Sequence, residues 1–200
     1  MPNGAIWVIF GPPGSGKGSQ AELLTSALGV PHVSTGDLLR AETAAATPLG
    51  AEVAPLLSAG ELVPDDLIER VLARRLARPD AAAGAILDGY PRTVEQARSL
   101  DRSLAGSGRR VQAVLVLDVD EATLLGRLLN RAGEQHRTDD NREAIAERMA
   151  EYRERSEPVV AYYRAQAVPV LAVDGTAAVD VVHDRVLQAL TGLSPSRTAP

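Results

Sequence analysis

Short runs of consecutive apolar residues alternate along the chain with longer stretches in which apolar positions recur three and four apart. The runs "AIWVIF" (5–10), "AILD" (85–88), "VQAVLVLDV" (111–119) and "VPVLAVD" (168–174) are bounded by turn residues, and "PHVS" (31–34) is a weaker fifth. Continuous rather than alternating hydrophobicity means that both faces of each strand are covered, as in a parallel sheet. The intervening "GSQAELLTSALG", "TVEQARSLDRSLAGS" and "EATLLGRLLNR" carry the spacing of crossover helices. Asp120 and Asp180 stand where helix N-caps belong, and Gly29 where a helix stops. The order predicts a doubly wound α/β domain, a five-stranded parallel sheet flanked by helices.

Two segments break the alternation. From 34 to 63 the pattern predicts short helices broken by Pro48, Gly50, Pro55 and Gly60, and from 130 to 141 "NRAGEQHRTDDN" is polar and poor in apolar residues. Both read as inserts over a site. At 200 residues the chain is the size of one domain, taken as 1–191, with the tail "GLSPSRTAP" (192–200) expected to be disordered.

Charge and composition narrow the function. The net charge is −5 with scattered arginines and no basic tract, which argues against a nucleic-acid binder and against a membrane-surface helix. An anion site must therefore be local. The absence of cysteine excludes disulfides and thiolate-ligated zinc, and fits a reducing cytoplasm. The N-terminal apolar run lacks a basic flank and is too short for a signal or a membrane span, so the expectation is a soluble, cytoplasmic protein.

Of 21 basic residues, 20 are arginine and one is lysine, and that lysine lies in "GPPGSGKGSQ" (11–20). Gly11, Gly16 and Lys17 fit the G-x-x-x-x-G-K spacing of a phosphate loop, with a strand before it and a helix after it. Glycines let backbone N–H groups turn inward around a polyphosphate at the positive end of a helix. An ammonium on a thin stem can reach through such a loop to the oxygens of two phosphates, where a planar guanidinium is broader and fixed in its fork. The strict motif has Ser or Thr after the lysine. Here Gly18 intervenes before Ser19.

Elsewhere, side chains suited to anions collect in the two inserts and at strand ends. Thr35 and Arg40 lie in the first insert, where a hydroxyl can meet a base or ribose and a guanidinium can take a phosphate bidentately. Arg92 follows a strand end and a "GYP" turn, a usual place for a ligand group in an open α/β sheet. Arg127, Arg131, Arg137 and Arg148 bracket the second insert and would repel one another without an anion to join them. Asp88 ends a strand beside the phosphate loop, placed to hold Mg²⁺ directly or through water or else to cap the "GY" turn. Gln96 carries a carboxamide able both to donate to and to accept from a base. Arg142, Arg153 and Arg155 read as solvated helix charges, and Trp7 as core.

Together with the phosphate loop, the stretches "STGDLLR" (34–40), "ELVPDDL" (61–67), "LDGYPRTVEQA" (87–97) and "HRTDDNREAIAERMAEY" (136–152) closely resemble the adenylate kinase family, in its bacterial form with a short lid. The resemblance covers roughly Ile6 to Gly175 and implies the phosphate-loop nucleoside monophosphate kinase fold, with 34–63 as AMP-binding insert and 130–141 as lid. It implies that Gly14, Ser15, Gly16, Lys17, Gly18, Ser19, Arg127, Arg131 and Ala177 bind ATP. It gives AMP to Thr35, Arg40, Glu61, Leu62, Val63, Gly89, Tyr90, Pro91, Arg92, Gln96, Arg137 and Arg148. Lys17, Asp88, Arg92, Arg127, Arg137 and Arg148 are then the catalytic set, while Asp139 and Asp140 close the lid. The implied partners are ATP, AMP and ADP, with Mg²⁺ held largely through water, and the implied state is a monomer. Zinc-binding lids of this family use four cysteines or related ligands, which this lid lacks, so no structural zinc is expected, and His136 alone makes no metal site.

Two rival functions share part of this pattern. A UMP/CMP kinase shares the architecture, but Thr35 in "STGD" and "PRT" after the tyrosine favour AMP. A nucleotide-dependent switch would need only the phosphate loop and would leave Arg40, Arg92 and Gln96 without a purpose.

Overall fold

The computed structural model describes residues 4–59, 63–135 and 142–193, with the backbone alone described at 130–135 and 142–144. Five strands, β1 (Ala5–Phe10), β2 (His32–Ser34), β3 (Gly84–Asp88), β4 (Arg110–Asp118) and β5 (Val170–Asp174), form one parallel sheet in the order β2-β3-β1-β4-β5. The chain leaves β1 toward one edge, builds β2 and β3, and then crosses β1 to build β4 and β5. The turn after β1 therefore opens at the point where strand order reverses, the place where open α/β sheets bind ligands.

Strand β1 shows why the runs are continuous. Ile6, Val8 and Phe10 enter one core with Leu72, Ala97, Leu100, Leu104, Val159 and Tyr163. Ala5, Trp7 and Ile9 enter another with Ala21, Leu24, Val182, Val186 and Leu190. Side chains alternate across a strand, so a strand covered on both faces needs apolar residues at every position. One layer holds α4 (Asp65–Leu76), α5 (Val94–Ala105) and α8 (Glu157–Ala165), and the other α1 (Lys17–Leu28) and α9 (Val179–Thr191).

The first insert has its own small core. Leu39 of α2 (Thr35–Ala44), Leu49 and Val53 of α3 (Pro48–Ala59), and Leu67 and Val71 of α4 bury one another. Contrary to the expectation from residue type, Gly50 and Pro55 do not break this segment, since both lie inside α3, which Pro48 begins. At Gly50 a Cβ would fall 2.0 Å from the Glu42 carbonyl oxygen, so this glycine serves the close approach of α2 and α3. Pro55 is exposed, and the carbonyl four residues earlier can turn to water.

Capping follows expectation at two of three positions. Gly29 closes α1 with φ 67°, and Asp120 accepts the Thr123 N–H at 2.9 Å at the start of α6 (Glu121–Gln135). Asp180 is not an N-cap. That position falls to Ala178, and Asp180 sits in the first turn of α9, where its carboxylate accepts from Val181 N–H at 2.9 Å. A negative charge there is favourable to the helix dipole, so the same residue type suits both positions. Beyond α7 (Arg142–Glu151) the helix passes through one π turn, Tyr152–Ser156, before α8.

Candidate active site

The turn between β1 and α1 is shaped by glycine. Gly14 and Gly16 have φ of 82° and 93°, and a Cβ on Gly14 would lie 2.9 Å from Leu128 Cγ. Lys17 opens α1, and its Nζ arches back to donate to the carbonyls of Gly11 at 2.7 Å and Pro12 at 3.0 Å. The Ser15 hydroxyl is buried with no hydrogen-bond partner among the described residues, inside the same loop. A buried polar atom without a partner is rare. A polyphosphate seated in the loop would supply one.

A cavity of about 710 Å³ begins at this loop, at Gly11, Pro13 and Lys17. It runs along Thr35, Arg40 and Val63 of the first insert and the end of β3 from Asp88 to Gln96, and is walled by Arg148, Glu151, Tyr152, Arg155 and Ser156. A second cavity of about 330 Å³ opens on the other side of the loop, between Gly14, Ser15, Gly16, Ser19 and Gln20, Arg127, and the turn at Gly175, Ala177 and Ala178 after β5. Arg127 Nη2 donates to the carbonyls of Thr176 at 3.1 Å and Ala177 at 3.3 Å, which holds that turn against α6. Gly18 leaves open space where a Cβ would be.

The turn after β3 gathers several groups on one atom. The Gly89 carbonyl accepts from Thr35 Oγ1 at 3.2 Å and from Arg92 Nε at 2.9 Å. Gly89 itself has φ 79°. Tyr90 is buried, and its hydroxyl donates to the Gln96 carbonyl at 3.2 Å. Burial and the nearby Glu69 and Asp65 push that phenol far above its ordinary pKa, so it stays a neutral donor. The Tyr90–Pro91 peptide is cis. Across the cavity, burial raises the Tyr152 phenol to about 12.

Arg40 is exposed and pairs with Asp37 at 2.5 Å. This contact, with the Ser34 hydroxyl, holds the Asp37 carboxyl below its usual range. Asp88 ends β3, half-buried, with Oδ2 at 3.3 Å from His32 Nε2 of β2. No sequence signal marks that pairing, because the two residues are brought together only by β2–β3 register. Arg155 also departs from expectation, since it lies along the larger cavity and pairs with Glu151 at 3.5 Å. Arg153 is a surface charge, as expected, paired with Glu121 at 2.8 Å.

Gln96 is both a cavity residue and a capping residue. Thr93 Oγ1 accepts the Gln96 N–H at 3.2 Å, and Gln96 Oε1 reaches back to accept the Arg92 N–H at 2.7 Å, close to a reciprocal capping box. Its Nε2 donates to Asp65 Oδ1 at 2.6 Å. The signature T-x-x-Q is present in the sequence, whereas Asp65 as a partner is not visible there. Of the remaining expected site residues, Glu61 and Leu62 lie outside the described residues, as do Arg137, Asp139 and Asp140, and so does the side chain of Arg131.

The glycine-shaped loop with Lys17 thus shares one cavity with the guanidiniums of Arg40, Arg92 and Arg148 and with the Gln96 carboxamide. The adenylate kinase family model matches residues 9–168. The chain belongs to the adenylate kinase family. It is 47% identical over 183 residues to an adenylate kinase of Nocardia farcinica, which spans 92% of this chain and 97% of the relative. It is 45% identical over 185 residues to that of Stenotrophomonas maltophilia strain R551-3, with 92% and 98% covered. Against that of a Nocardioides species it is 43% identical over 183 residues, with 92% and 95% covered. Membership makes the chain a nucleoside monophosphate kinase, a phosphotransferase acting between ATP and AMP. Among the described residues, no helix is long and apolar enough to cross a membrane.

Proposed function

We infer that the residues assembled here carry out Mg·ATP + AMP ⇌ 2 ADP, with the phosphate loop and the smaller cavity as donor site and the larger cavity as acceptor site. The observation that carries this assignment is the continuity of one cavity from Lys17 to Arg40, Arg92 and Arg148. An AMP phosphate oxygen forms the new bond to the γ-phosphorus as the bond from that phosphorus to the β-bridging oxygen breaks. The attacking oxygen is already anionic, so no side chain need remove a proton. Catalysis is then alignment and charge stabilisation.

In this reading Gly14, Ser15, Gly16, Gly18 and Ser19 present the loop to the ATP phosphates, Lys17 spans the β and γ groups, Arg127 and Arg131 meet the same phosphates, and Ala177 completes the ATP site. Arg40 and Arg92 hold the acceptor phosphate, with Arg137 and Arg148 on it and on the transferring phosphoryl group. Thr35, Val63, Gly89, Tyr90, Pro91 and Gln96 line the nucleoside. Mg²⁺ usually keeps several waters and takes one or two carboxylates, a demand that Asp88 fits beside the loop. When bound it supplies neutralisation of the developing phosphate charge. No group of three or more His, Cys, Asp or Glu able to hold a metal is found among the described residues. A zinc-free lid, a monomer and a cytoplasmic location complete the proposal.

The test is a coupled assay of ADP formation from ATP with AMP, UMP, CMP and GMP as acceptors. AMP should lead by at least about tenfold in kcat/KM, the scale of one or two hydrogen bonds. Equal use of UMP or CMP would overturn the acceptor assignment.

A further inference from the structure

The Gln96 carboxamide, which meets the acceptor base in the reading above, is gripped at both ends. Its Oε1 accepts the Arg92 N–H at 2.7 Å, and its Nε2 donates to Asp65 Oδ1 at 2.6 Å. A backbone N–H requires an acceptor and an ionised carboxylate requires a donor, so the two partners together settle which end is oxygen. Gln96 is only 5% exposed, and both it and Asp65 line the larger cavity. Each grip uses one hydrogen-bonding capacity. One N–H and one lone pair of the carboxamide are left without a partner among the described residues.

That remainder has chemical meaning. A 6-aminopurine offers an acceptor at N1 and a donor at its exocyclic amine, and a carboxamide can meet both at once. A 6-oxopurine offers the reverse, an N1–H and an O6 acceptor. A freely turning carboxamide would meet the second as well as the first by exchanging its oxygen and nitrogen. Here that rotation would turn the oxygen toward the Asp65 carboxylate and the NH₂ toward the Arg92 N–H. The contact to Asp65 is the charge-assisted one, and so the stronger of the two restraints.

We propose that Asp65 is a positioning residue for base selection: it locks the Gln96 carboxamide in the orientation that accepts a 6-aminopurine monophosphate and refuses a 6-oxopurine one. Asp65 touches neither phosphate loop nor transferred group in this reading. It acts through Gln96. The inference rests on the larger cavity being the acceptor site.

An asparagine at this position separates orientation from simple anchoring. Asn can accept from the Gln96 NH₂ or, by turning its own amide, donate to the Gln96 oxygen, so D65N keeps a hydrogen bond in both orientations and leaves the choice to the weaker Arg92 N–H alone. The experiment measures kcat/KM for AMP and for IMP at saturating ATP in the unmodified chain, D65N and D65A, with KM for ATP as a control. The expected result is a fall in the AMP/IMP preference of about tenfold in D65N, the scale of one hydrogen bond to a charged group, produced mainly by better use of IMP. KM for ATP should stay within about twofold. D65A should lose AMP affinity as well, since it removes the anchor outright. A preference that moves less than about threefold in D65N, below the scale of one hydrogen bond, or losses shared equally by AMP and IMP, would overturn the role of Asp65 while leaving the acceptor site standing. An unmodified chain that uses IMP as well as AMP would overturn the selection itself, whereas an Arg92→Ala variant that uses AMP undiminished would remove the reading on which the proposal depends.

Discussion

At the scale of single residues, Lys17 is the sharpest case. Its ammonium makes two short contacts to loop carbonyls, of 2.7 and 3.0 Å, a geometry suited to a compact three-donor head on a thin stem rather than to a broad planar fork. Lys17→Arg should therefore lose activity nearly as severely as Lys17→Ala, by on the order of 10²- to 10³-fold in kcat, the usual consequence of removing one preorganised charge donor. Since the chain has no other lysine, an amine reagent should label only Lys17 and the α-amino group, and Mg·ATP should shield the first alone. Labelling indifferent to nucleotide, with activity kept, would reject the assignment. Arg92→Ala should raise the barrier for AMP by about 2 to 4 kcal/mol with KM for ATP little changed, which steady-state kinetics with each substrate varied will read. Groups adjacent in sequence, such as the loop glycines with Lys17, are legible from their spacing alone. Pairs made by folding are not: Gln96 meets Asp65 from 31 residues away and Asp88 meets His32 from 56.

At the scale of elements, the strands announce themselves because burial on both faces demands unbroken hydrophobicity, and their ends differ from the sequence pattern by only one or two residues. The first insert is harder to read. Its Gly50 and Pro55 have the residue types of helix breakers, and only the 2.0 Å that would separate a Cβ from the Glu42 carbonyl explains why glycine sits inside a helix. Arg109 has no signature at all in the sequence, because nothing in its neighbourhood distinguishes it from a surface charge. In the fold it donates from Nε to Gly4, from Nη1 to Leu76 and from Nη2 to Ala81, at 3.2, 3.2 and 3.0 Å, and so ties the start of β1 to the end of α4 and the short turn before β3. Burial lowers its pKa from the ordinary arginine value without approaching neutrality at pH 7. Arg109→Ala leaves three carbonyls to find water and should reduce stability by about 2 to 4 kcal/mol, measured by urea unfolding. Arg109→Lys should recover little of it, since one ammonium cannot span three elements. The clamp lies at the opposite end of β1 from the phosphate loop, so kcat of the folded Arg109→Ala protein should be unchanged. A large loss of kcat at full folding would show that the two ends of the sheet are coupled.

At the scale of the whole molecule, an acidic chain concentrates positive charge where it has use for it. Lys17, Arg40, Arg92, Arg148 and Arg155 line the larger cavity against Asp65, Asp88 and Glu151, while the net charge is −5. Attraction of anionic substrates into that field should weaken with added salt, in kcat/KM for AMP before kcat. Away from the site, Asp101 is a carboxylate whose burial disfavours its charged form. Asp101 of α5 is partly buried beneath α8, where the Tyr162 hydroxyl donates to its Oδ2 at 2.8 Å. Burial raises its pKa, and the tyrosine contact offsets this only in part. A carboxyl whose folded pKa lies above its unfolded value binds its proton more tightly in the native state. Its penalty is therefore absent below the ordinary value of 3.8, and develops as pH rises through the folded pKa. Asp101→Asn keeps an oxygen that can accept from Tyr162 and removes the buried charge. The variant should melt above the unmodified chain at pH 7, and the two melting temperatures should converge as pH falls below about 4, where the native carboxyl is neutral too. Thermal unfolding followed from acid to neutral pH measures this directly. A variant that melts lower at pH 7, or a difference constant with pH, would mean that Asp101 stabilises the α5–α8 contact as a charge, and that its ion–hydroxyl bond outweighs the loss of solvation.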